Sequence, residues 1–264
     1  MPTHPNRTHE IKLGRTELSP LAKISVSDIV DVEKAKAVTF PAKEQPLVDL
    51  TTLIKSWPMF LNDRWGDCTC AGLGHMKQVF CALVGLPFTV TDADIQRAYE
   101  ASGFKPADPS TDQGWSLMAA SEYARTVGLQ GKPDIVATAN VSLTNLDEQQ
   151  VALELFGGLY EGFEVPASAI TQYHEGKPWT VSKQETNIVG GHCITRPKNT
   201  LRKSGVHVTW GSLQEADEAF EKTYFDELRV FVPTDWEAKL PLYIVEAGIV
   251  DFSKLATLVT QFAA

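Results

Sequence analysis

The step Gly66-Asp67-Cys68, with the apolar run that follows it, constrains this chain more than any other feature. After Cys68 the residues Ala71, Met76, Val79, Phe80, Leu83 and Val84 recur at three- and four-residue steps, and Gly85 and Pro87 close the run. That period predicts a helix over 68–84 with Asp67 as its cap. A cysteine on the first turn of a helix sits beside unpaired N–H groups and the positive end of the helix dipole, which favour its thiolate. Far downstream, Gly190-Gly191-His192 offers an imidazole as the matching base. Helix geometry sorts the other cysteines. Cys70 lies about 200° around the axis from Cys68, so it points away from any cleft that Cys68 faces. Cys81, about three turns beyond Cys70, shares that inner side. If His192 lies on a strand, Cys193 points to the opposite face and packs while His192 faces the site.

Taken together, these segments resemble the papain-like cysteine peptidases, over a span of roughly Pro46 to Pro233. Gly66-Asp67-Cys68 is similar to the family's nucleophile segment and Gly191-His192 to its base segment. Their separation of 124 residues falls just below the roughly 130–150 of that arrangement. Asn62 stands six positions before Cys68, where the family has an oxyanion-binding Gln; the resemblance implies that its amide donates alongside the Cys68 N–H. Asp112-Gln113-Gly114 is similar to the loop that lines the family's substrate cleft, and Trp210-Gly211 to the Trp-Gly that follows its orienting Asn.

The resemblance thus implies catalytic roles for Cys68, His192 and Asn62, and substrate contacts for Gly66, Asp112, Gly114, Gly191 and Trp210. It implies an α+β fold, with a helical lobe, an antiparallel β-rich lobe and the site in the cleft between them. The expected function is a cysteine peptidase or related thiol-dependent amide hydrolase, working through an acyl-enzyme on a peptide or protein substrate without a cofactor. Two departures support a second expectation. Val208 stands sixteen residues past His192, where the orienting Asn belongs, and Trp65 replaces a cysteine that forms a disulfide in many secreted members. Those departures, Val208 above all, together with the two terminal extensions fit a catalytically weak or inactive papain-like scaffold, serving as a structural or assembly subunit such as a virion component. The loose pattern suggests a bacterial or bacteriophage member.

Residues 1–47 carry Pro2, Pro5, Pro20 and Pro41 and no sustained period, which predicts an extended arm with a short strand at Ala22–Val26. Such an arm is expected to brace the fold or to meet a second copy or assembly partner, apart from the cleft chemistry. Residues 48–233 form the two-lobed domain. Within it, helices are predicted at 92–102 with Thr91 as cap, 115–128, 146–156 and 212–224, and strands at 159–165, 192–194, 206–210 and 228–232. Residues 234–264 form a C-terminal extension in which Asp251 caps an amphipathic helix with the stripe Leu255, Leu258, Val259 and Phe262. His75 lies two turns up the helix from Cys68, too far to be its base, and is read as a core histidine. His207 is read as a strand surface position, or as an aid to His192 in an altered site, His174 as solvated, and Trp210 as core or as a lid over His192.

A formal charge of −9 without a Lys/Arg cluster argues against binding nucleic-acid phosphates. No apolar run approaches a membrane span, and no apolar signal region follows Met1. Four cysteines without a paired framework suit a reducing cytoplasm, and a virion protein would share these traits. Cys68, Cys70, His75, His192 and Cys193 hold metal-ligand types, but the usual zinc spacings are absent and the helix separates Cys68 from Cys70, so no metal is expected.

Overall fold

The computed structural model describes residues 7–16, 24–39, 49–183, 187–200, 204–234 and 248–263. After two short helices, α1 (Val26–Ile29) and α2 (Val32–Thr39), the helical lobe is built from α3 (Cys68–Leu83), α4 (Asp92–Glu100) and α5 (Leu117–Thr126). Each of the latter two starts where a side chain satisfies a free N–H of the first turn. Thr91 and Asp94 form a capping box on α4, and Ser116 Oγ accepts the Ala119 N–H on α5. Nearly every side of α3 is buried, because it packs between these helices and a sheet. Gly72 permits that approach, since a Cβ there would stand 2.7 Å from the Tyr160 ring.

The β-rich lobe is a six-stranded antiparallel sheet ordered β1-β6-β2-β3-β4-β5. Its strands are β1 (Ile135–Asn140), β2 (Leu159–Pro166), β3 (Ile188–Thr200), β4 (Ser204–Thr209), β5 (Ser212–Asp217) and β6 (Phe225–Pro233). Three further helices, α6 (Leu146–Phe156), α7 (Ala167–His174) and α8 (Glu218–Tyr224), pack against it. One core joins α3, α4 and α5 to Tyr160, Cys193 and Phe231; a second surrounds Phe163, Trp179, Phe220 and Trp210. At the chain's end, α9 (Phe252–Ala263) is capped by Asp251, whose Oδ1 accepts the Lys254 N–H at 2.8 Å. Leu255 is buried and Leu258 packs on the second core, so this stripe lies on the body. The side chains of Val259 and Phe262 lie outside the described residues.

Several sequence expectations change. Residues 212–217 form a strand, and the helix expected there begins only at Glu218. Val26 opens α1, with the Ser25 N–H bonded to Asp28, in place of a strand at Ala22–Val26; residues 22 and 23 lie outside the described residues. Strand β1 and helix α7 carry no clear sequence signal.

Candidate active site

Register decides which residues can meet His192. Strands β3 and β4 pair with Thr195 opposite Val208, so Val208 lies on the face of Thr195 and Cys193, while Thr209 shares the face of His192. The structure follows that parity. His192 Nε2 lies 2.8 Å from Thr209 Oγ1, and Val208 is packed in the sheet. Thr209 is therefore the imidazole's partner, one residue after the position expected from sequence. With Nε2–H donating to the hydroxyl, Nδ1 is the free acceptor of a neutral ring, and among the described residues it has no hydrogen-bond partner.

Trp210 stacks on His192 with ring centroids 4.4 Å apart. It is held there by the β4–β5 turn, in which Trp210 and Gly211 both have positive φ (43° and 70°), the backbone of a tight primed hairpin. A left-handed tryptophan carries strain of roughly 1–3 kcal/mol, and such strain concentrates at functional sites.

Cys68 opens α3 as expected, but Asp67 makes no capping bond with its side chain. Its carboxyl is buried with neither oxygen hydrogen-bonded among the described residues, and burial pushes its pKa well up. The backbone N–H groups of Cys193 and Gly14 act to lower the pKa of the Cys68 thiol. Cys68 and His192 are each only 1% exposed, and no hydrogen bond joins them. Burial pushes the Cys68 thiol up to about 12, despite those two N–H groups. Burial, reinforced by the charge of Arg15, pushes the His192 imidazole down to about 3. In this arrangement the pair is a neutral thiol and a neutral imidazole, not the thiolate that the helix start suggests.

The cover over the pair is the N-terminal arm. Expected to stay apart from the cleft, residues 7–16 instead lie along it. Arg7 anchors one end through the Tyr173 and Leu213 carbonyls and Gln214. The Lys12 carbonyl accepts the Trp210 indole N–H at 3.3 Å. Gly14 lies so close to Gly66 that a Cβ there would stand 1.7 Å from the Gly66 oxygen. Arg15 then bridges both walls. Its N–H donates to Gly191 O at 3.1 Å, while Trp115 N–H donates to Gly14 O at 2.8 Å and Thr16 N–H to Trp115 O at 3.2 Å. The arm is thus an extended strand added between the two lobes.

The other expected site residues surround this strand. Asn62 Nδ2 donates to Trp65 O at 3.2 Å and approaches Lys12 O at 3.5 Å. Asp112 accepts the Gly66 N–H and the Tyr99 hydroxyl, and that hydroxyl accepts the Gly114 N–H. Sequence reasoning missed Thr209, Trp115, Arg15, Asp226 and Glu227. The parity of the strand after His192 was the one available signal, and it pointed to Thr209.

No family model matches the chain, and no curated protein matches it. Among solved structures it is similar to xylellain, a cysteine protease from Xylella fastidiosa. That likeness covers 89% of this chain and 99% of the other, with a TM-score of 0.57 and 12% sequence identity. The chain has a papain-like α+β fold.

Within this papain-like fold His75 and His207 are structural. His75 is buried between Trp57 and Phe60 and bonded to Pro58 O at 2.9 Å, and burial lowers its pKa to about 4. His207 is not a surface residue. It is fully buried between Glu161 Oε2 (2.9 Å) and Glu221 Oε1 (3.1 Å), with Arg196 bridging the same two carboxylates. A cavity of about 470 Å³ along α3, lined by Leu73, Met76, Phe80, Phe156 and Phe231, contains neither Cys68 nor His192. No helix of the described residues is long and apolar enough to cross a membrane, and no cluster there could hold a metal ion.

Proposed function

We propose that this chain is a thiol-dependent amide hydrolase, with Cys68 as nucleophile and His192 as base. The supporting observation is the His192 ring itself, tied through Nε2 to Thr209 and shielded by Trp210. Its Nδ1 has no hydrogen-bond partner among the described residues, which leaves it open to take a proton. Thr209 orients the ring through Nε2, and with Nε2–H donating to its hydroxyl Nδ1 can take a proton, so Val208 at the expected Asn position does not argue for an inactive scaffold. Cys68 Sγ attacks the amide carbon while its proton passes to Nδ1. The C–N bond then breaks as that proton moves to the leaving amine. The Cys68 N–H, unpaired on the first helical turn, and the Asn62 amide stabilise the oxyanion. Water, deprotonated by the same Nδ1, cleaves the thioester and restores the thiol.

Access requires residues 12–16 to leave the cleft, and their departure rehydrates both reacting groups and so reverses the shifts that burial imposes. Digestion of heat-denatured casein at neutral pH tests this reading. The Arg15→Ala chain should cleave, and the added substitution Cys68→Ala or His192→Ala should abolish cleavage. Cleavage that survives Cys68→Ala, or none from a chain whose Cys68 alkylates freely, would overturn it.

A further inference from the structure

Among the described residues, the arm's ion pairs with the cleft wall come from one side chain, Arg15. Arg15 Nη1 and Nη2 donate to Asp226 Oδ1 and Oδ2 at 2.7 and 2.6 Å, and Nη1 also donates to Glu227 at 3.3 Å. The side chain is only 3% exposed. Its stem lies over Gly162, where a Cβ would stand 3.0 Å from Arg15 Cδ and beside Leu117. A larger residue at 162 would fill this pocket. Planar two-point pairing with a carboxylate is the geometry of a guanidinium, and an ammonium cannot reproduce it. Glu227 also pairs with Arg229, whereas among the described residues Asp226 is ion-paired with Arg15 alone. A half-buried site left with an uncompensated carboxylate favours a cation in its place.

From this we infer that Asp226 and Glu227 form a specificity pocket for an arginine side chain of the peptide substrate, and that Arg15 occupies it in the closed state. The inference rests on the amide-hydrolase reading of the same cleft. The backbone contacts of residues 14–16 with Gly191 and Trp115 show how an extended peptide can lie there, with its arginine placed in the pocket.

The test uses binding, so that it stands apart from catalysis. The full chain carrying Cys68→Ala and Arg15→Ala is titrated calorimetrically with the peptide acetyl-Lys-Leu-Gly-Arg-Thr-amide and with its analogue bearing citrulline, the uncharged isostere, in place of arginine. The arginine peptide should bind at least about tenfold more tightly, the lower end expected for a charge-assisted pair. Adding Asp226→Asn, at a residue that is 28% exposed and tolerant of an isosteric change, should remove most of that preference. Equal binding of the two peptides, a preference that survives Asp226→Asn, or no binding of either would overturn the inference. Casein cleavage without an arginine preference would overturn this inference alone, while the preference without any cleavage would overturn the hydrolase reading alone.

Discussion

Replacing Arg15 with alanine gives a number that the closed site must obey. Cys68 reacts with an alkylating reagent only when the arm lifts, so its labelling rate scales with the population of the open state when opening is fast. Arg15 contributes three charge-assisted contacts to closure, two of them short and bidentate. Single bonds of this kind contribute about 1.5–3 kcal/mol, but they act as a unit, and opening rehydrates Asp226; about 3 kcal/mol for the set is the reasoned value. At 1.4 kcal/mol per decade, Arg15→Ala should raise the open population, and hence Cys68 labelling, by about 150-fold. Brief iodoacetamide treatment at neutral pH followed by peptide mapping reads this directly. Cys81, buried on α3 away from the arm, serves as the internal reference and should keep its rate. An acceleration at Cys68 below about threefold, far under what one such bond supplies, would refute the assignment of Arg15 as the latch. Equal acceleration at Cys81 would show that the variant loosens the whole fold.

Two further outcomes follow from side-chain partners. In the opened Arg15→Ala chain, Thr209→Val should lower kcat/KM for peptide hydrolysis by about 10–100-fold with little change in melting temperature, while Thr209→Ser retains most activity; an unchanged valine variant would show that His192 needs no such partner. For His207, burial lowers the pKa, but the attraction and hydrogen bonds of Glu161 and Glu221 outweigh it and the net shift is upward. The folded state therefore holds this proton more tightly. Its stabilisation is complete below the unfolded value of about 6.5 and is lost as pH rises through the higher folded value. Urea midpoints should fall across that window, and His207→Gln should flatten the fall; identical profiles would remove His207 from the account.

Helices α3, α4 and α6 were legible because their apolar spacing and caps are local, and the alternation of β2 was equally plain. Strand β5 was not, for an instructive reason. Its inward positions are Ser212, Gln214 and Ala216, while Leu213 is only half-buried. Gln214 is buried because it bonds Arg7 and the Lys177 and Glu215 carbonyls, partners remote or hidden in sequence. The apolar residues Leu213, Ala216 and Phe220 then mimic helical spacing. His207 misled in the same way, since its place between Glu161 and Glu221 depends on pairing across the sheet. At the candidate site, Cys68 and His192 could be singled out by local motif. The cover over them could not, because residues 7–16 take an extended form only by bonding Gly191 and Trp115, and isolated extended chain leaves no period to read.

Arg15 travels on the same polypeptide as the carboxylates that receive it, and this changes what can dislodge it. A ligand joined to its receptor by a short length of chain acts at an effective concentration of millimolar order, whatever the protein concentration. Diluting the protein therefore does not vacate the pocket. An outside peptide of equal intrinsic affinity must approach the millimolar range before it takes the place of the resident side chain. A stronger incoming ligand, or a change that frees the arm from its anchor at Arg7, shifts that balance without altering the pocket at all.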